Sequence, residues 1–126
     1  MSVKFTESVL KSASEIAEGC FECKKCMKEC IMLNDFTDSP AKLFKEFTSR
    51  GTIDPIVPYS CNQCGNCTIV CPKKYKLADV FAGMRKDMVK ANKGKSPIKG
   101  HGAIDIHQLL SFSWLFTTKS KGGIYE

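Results

Sequence analysis

The sequence predicts an all-α domain on three observations. Apolar residues recur at three- and four-residue spacings in four segments, strand-like runs are confined to a short stretch near Ile53 to Val57, and eight cysteines fall in two runs of identical spacing. The 126 residues are 43% hydrophobic and 25% charged, which makes one domain of ordinary globular composition and excludes a fibrous or charge-rich disordered chain. So short a chain leaves little interior for a large catalytic domain with its own substrate pocket.

Val3, Val9, Leu10, Ala13, Ile16 and Ala17 predict a first helix over about residues 3–18, closed by Gly19, which hands the chain to the first cysteine. Ser39 and Pro40 read as an N-cap and a first helical position. They open a short helix with Leu43, Phe44 and Phe47 inward and a stop at Gly51. The stretch DPIVPYS reads as turns leading into the second cysteine run. After Cys71 and Pro72, a third helix follows with Leu77, Val80, Phe81, Met84 and Met88 on one side, ending near Gly94. A Gly/Lys/Pro linker then precedes an apolar amphipathic helix from about Ala103 to Phe116. The expected division is a cluster-bearing domain over 1–94 and a linker with an apolar C-terminal docking segment over 95–126.

The opening segment carries acidic residues and no continuous apolar core, so no signal peptide is expected. The apolar window from Ala103 to Phe116 is short and contains Asp105, His107 and Gln108, so no unaided membrane span is expected either. A cytoplasmic setting keeps thiols reduced, and eight cysteines there read as metal ligands in preference to four disulfides.

Residues 20–30 (CFECKKCMKEC) and 61–71 (CNQCGNCTIVC) both read C-x2-C-x2-C-x3-C, 41 residues apart. Three thiolates at this spacing can converge on one iron-sulfur cube while the fourth turns away to a second. Cys20, Cys23 and Cys26 are therefore expected to hold one [4Fe-4S] cluster with Cys71, and Cys61, Cys64 and Cys67 the other with Cys30. Zinc prefers two separated cysteine pairs and leaves a third cysteine surplus. A [3Fe-4S] cluster usually follows loss of a ligand, and here all eight are present. Each cluster moves one electron with little rearrangement, so the chemistry implied is electron transfer, with no catalytic residue in this chain. The formal charge of +6 would fall to roughly +2 with two clusters bound, which weakens any case for a nucleic-acid partner.

Other residues carry plainer readings. Gly65 relieves crowding of its loop against the cluster sulfides, Pro72 fixes the chain after Cys71 and shields the cluster from water, and His101 and His107 are surface or packing residues. Lys73, Lys74, Lys76, Arg85 and Lys86 form either a solvated face or a docking patch that also raises cluster potential. The GKS at 94–96 is no phosphate loop, because Val89 stands where its glycine is required. Phe112, Trp114, Leu115 and Phe116 either cap the clusters or insert into another subunit.

The two cysteine runs on a helical background resemble the alpha-helical ferredoxin family, most closely the small C subunit of heterodisulfide reductase and its homologues, over about residues 3–94. Related domains occur in anaerobic glycerol-3-phosphate dehydrogenase and fumarate reductase. The resemblance implies a relay passing electrons between a flavin-containing subunit and a reductase subunit, peripheral to a membrane only through such partners. The first run departs from the pattern in ending Cys30-Ile31 where a proline is usual. A freely diffusing dicluster ferredoxin and a metal-stabilised interaction module are the competing functions.

Overall fold

The computed structural model describes residues 2–115; Phe116 of the apolar tail lies outside the described residues. The described chain is helical, with no strand among the described residues: α1 (Glu7–Gly19), α2 (Lys25–Glu29), α3 (Ile31–Phe36), α4 (Pro40–Arg50), α5 (Ile56–Ser60), α6 (Asn66–Val70), α7 (Leu77–Ala91) and α8 (His101–Ser111).

Helix α4 forms where its local chemistry places it. Ser39 accepts the Lys42 backbone N–H at 3.2 Å, Pro40 opens the first turn, and Gly51 ends the helix in the left-handed region at φ 67°. Its Leu43, Phe44 and Phe47 are buried, as their spacing predicts. The widest helix contact is α1 on α4, and Phe44 stacks on Phe81 of α7 with centroids 5.7 Å apart. Val9, Ala13, Ile16, Leu33, Phe81 and Met84 complete one core, against which Cys20, Cys26, Cys30, Cys61, Cys67 and Tyr75 are partly packed.

Helix α1 starts later than its apolar spacing predicts. Thr6 is extended, and it donates its backbone N–H (2.9 Å) and hydroxyl (3.1 Å) to Asp87 Oδ2 on α7. Asp87 is only 5% exposed, and its carboxylate both satisfies the helix start and complements the positive end of the helix dipole. The residues before Thr6 are thus fastened across the core, with Phe5 edge-on to Phe47 at 4.9 Å.

DPIVPYS is not wholly turns, since it holds the one-turn helix α5. Asp54 Oδ1 accepts the Ile56 N–H at 3.0 Å and Pro55 already sits at helical angles, so a side-chain-closed turn starts the helix. Helix α8 begins at His101, two residues earlier than expected, and buries none of its residues. Its apolar side is bare to solvent along with Phe112 (84% exposed) and Trp114 (85%). No described helix is long and apolar enough to cross a membrane.

Candidate metal centre

The two cysteine runs fold as copies of one another. Glu22 (φ 56°) and Lys24 (φ 59°) in the first loop match Gln63 (φ 60°) and Gly65 (φ 76°) in the second, each pair 41 residues apart and all four left-handed. In both loops the third cysteine, Cys26 or Cys67, lies in the first turn of a short helix, α2 or α6. The fourth, Cys30 or Cys71, terminates that helix in extended backbone and so leaves in another direction. Helices α2 and α6 pack against each other, which brings the copies face to face. Gly65 adopts the left-handed region at φ 76°, which glycine enters without strain, and a Cβ there would meet no protein atom within 4 Å.

Two cavities lie between the copies. Cys20, Cys23, Cys26 and Cys71 line the first, a narrow one, together with Ile16, Pro40 and Tyr75. Cys61, Cys64 and Cys30 line the second, larger and partly open to solvent, with Met32, Leu33 and Phe81. Cys67 and Leu77 line both and form the wall between them. All eight cysteines are free thiols. Among the described residues no three or more His, Cys, Asp or Glu side chains are arranged to hold a single metal ion. Four soft sulfur donors spread around a volume suit a polynuclear iron-sulfur cluster, whose thiolates bind separate irons.

Burial, followed by the neighbouring Cys20, Cys67, Cys23 and Cys71, pushes the Cys26 thiol up to about 11. Burial also raises Cys67, while the backbone N–H of Ala78 at the start of α7 works against that rise by bonding the sulfur. These inward thiols keep their protons at neutral pH until a metal displaces them.

Side chains outside the motifs hold the loops in place. Ser39 donates its hydroxyl to Glu22 Oε1 at 2.5 Å, tying the first loop to the α4 cap. Asn34 donates to the carbonyls of Met27 (2.5 Å) and Cys30 (3.1 Å). Arg85 on α7 donates its Nε to the Pro58 carbonyl at 2.7 Å and a terminal nitrogen to the Cys61 carbonyl, with its guanidinium over the Tyr59 ring. Lys73 donates to the Gly19 carbonyl and lies over Phe21, which joins the end of the second run to the beginning of the first. Lys74 donates to the Ile69 carbonyl.

Arg85, Lys73 and Lys74 thus clamp backbone carbonyls, while Lys73, Lys74, Lys76 and Lys86 are exposed. Gly19 has a further reason: a Cβ there would fall 1.9 Å from the Tyr75 hydroxyl. Cys71, Pro72, Lys73 and Lys74 form a turn closed by the Lys74 N–H on the Cys71 carbonyl, the proline in its favoured second position. Its ring is exposed, so the fixed turn is what the structure shows of its two expected roles. His101 packs on Tyr59 with centroids 5.6 Å apart and bonds Ser96 through Nδ1, while exposed His107 faces Ser111. Asn34 and Ser39 were not legible as site-positioning residues, because their partners, the carbonyls of Met27 and Cys30 and the Glu22 carboxylate, are marked by no motif.

Residues 19–76 match the family described as a 4Fe-4S dicluster domain. The chain is also similar to the B subunit of the fumarate reductase (CoM/CoB) of Methanothermobacter marburgensis (strain Marburg). The two are 26% identical over 99 residues, covering 68% of this chain and 20% of that protein. The chain thus spans about a fifth of the length of that relative. No solved structure matches it. The family match and the relative support [4Fe-4S] chemistry and a role in electron transfer.

Proposed function

We propose that the chain is an electron-transfer subunit that relays single electrons through two [4Fe-4S] clusters between a flavoprotein and a heterodisulfide-reductase-like or other reductase subunit, in the cytoplasm. Cys20, Cys23, Cys26 and Cys71 hold one cluster, and Cys61, Cys64, Cys67 and Cys30 the other. The observation that carries this reading is the crossing of the fourth cysteines: Cys71 lines the cavity of the first run and Cys30 that of the second. Each cluster supplies one-electron chemistry with no bond broken. The chain's own residues space the sulfurs, hold the loops and keep Cys67 and Leu77 between the two centres. Eight free thiols accord with a reducing compartment.

Residues 1–94 carry the clusters, and 95–126 dock the partner. Support for docking comes from α8, Phe112, Trp114 and Leu115, which expose large apolar side chains that a diffusing carrier has no use for. Support for a complex comes from the relative, which is itself named as a reductase subunit.

The test is anaerobic iron and sulfide analysis of the natively purified complex, with EPR during stepwise reduction. About eight irons and eight sulfides per chain, interacting reduced spins and a co-purifying flavoprotein are expected. Bound zinc without redox signals rejects the reading. A monodisperse holoprotein that carries both clusters but no partner replaces the subunit with a free ferredoxin.

A further inference from the structure

We propose that the relay is polarised by one non-equivalent pair of residues in otherwise matching loops: Gln63 makes the site of the second run the more easily reduced, and Glu22 makes that of the first run the less so. The inference rests on the two-cluster reading above.

Glu22 and Gln63 occupy the same position of the repeat and the same left-handed backbone, at φ 56° and 60°. Their side chains differ in charge and in hydrogen-bonding capacity. Gln63 donates its backbone N–H to Cys61 Sγ at 3.4 Å and its side-chain amide at 3.5 Å. The Glu22 side chain offers no donor to a sulfur: it is exposed, and its Oε1 accepts from the buried Ser39 hydroxyl at 2.5 Å, which fixes the carboxylate at the first loop. Donors to a ligating sulfur stabilise the extra electron of a reduced cluster, and a nearby carboxylate opposes it, so both differences favour the second site.

Arg85 adds to the same direction. It is half-buried and donates to the Cys61 carbonyl, whereas its counterpart at the first loop, Lys73 on the Gly19 carbonyl, is exposed. Lys24 beside the first cavity and Glu29 beside the second act oppositely; Glu22 is exposed as they are, but it alone is fixed by a hydrogen bond, to Ser39, whereas Lys24 and Glu29 are free to turn into solvent, where water and salt screen them. An electron entering the oxidised pair therefore rests on the side of Cys30, Cys61, Cys64 and Cys67.

EPR-monitored redox titration of the holoprotein, with iron analysis of each sample, tests this using Glu22→Gln and Gln63→Glu. Each change installs the residue that the matching loop already accommodates. The wild type is expected to give two one-electron waves. Gln63→Glu should lower the higher wave and Glu22→Gln should raise the lower one, each changing the partition of the first electron about tenfold, or about 59 mV. If Gln63→Glu loses its cluster, Glu22→Gln decides alone. The polarity is overturned if the full complement of iron is present and Glu22→Gln moves the higher wave, or if neither variant moves the wave assigned to it. A wild type holding a single cluster overturns the two-cluster reading itself, and the iron analysis separates that result from a wrong polarity.

Discussion

Asp87 makes the longest-range side-chain tie in the described structure, and it shows how a single buried carboxylate sets where a helix begins. Replacing it with alanine leaves the Thr6 N–H and hydroxyl without their acceptor, so a loss of about 1–3 kcal/mol of stability is expected, read from urea unfolding of the holoprotein. Gly19→Ala is expected to cost more than a usual glycine-to-alanine change, because the added methyl must displace the Tyr75 ring that lines the first cavity. Iron analysis of that variant should show the loss at the first site, with the second retained. Cys26 supplies a pH prediction. Burial pushes its thiol up to about 11, and on the proposed ligand set iron takes the thiolate, so loading must release that proton. Anaerobic reconstitution is therefore expected to go further as the pH rises from about 7 to about 9, followed by the brown absorbance of the cluster.

Elements differ in how openly the sequence declares them. The limits of α4 were readable because Ser39, Pro40 and Gly51 act within a turn of themselves, and α7 because its apolar side repeats over four turns. The start of α1 was not, since its determinant, Asp87, lies 81 residues away from Thr6. Helices α2, α3, α5 and α6 are five or six residues long, too short for a period to register. The cysteines announced themselves by spacing alone, and Cys71 lines the cavity of the first run and Cys30 that of the second, whereas Arg85 looked like a surface charge because the carbonyls it clamps leave no trace in sequence. The role of Gln63 had a trace that was missed: it shares its repeat position with Glu22. Phe44→Ala, at the junction of α4 and α7, should cost about 3–5 kcal/mol in unfolding of the holoprotein. By contrast, on the proposed docking role, removing residues 103–126, which spares the His101 contact with Tyr59, should leave iron content and reduction unchanged while abolishing co-purification with a partner, because α8 buries none of its own residues.

At the scale of the whole molecule, the proposed crossing of ligands turns cofactor binding into a question of chain topology. Joining Cys20 to Cys71 closes a loop of about fifty residues around a second loop that joins Cys30 to Cys61. By the chain-entropy argument used for disulfides, each closure is worth about 4 kcal/mol to the folded state. Together these closures rival the entire stability margin of a small domain. Oxidative loss of either cluster therefore does more than disable a carrier. On the proposed ligand set it opens one of the two ties and leaves the other bridging the halves, so that a molecule that has lost one cluster to oxygen keeps its fold at a reduced margin, and loss of the second exposes it to proteolysis.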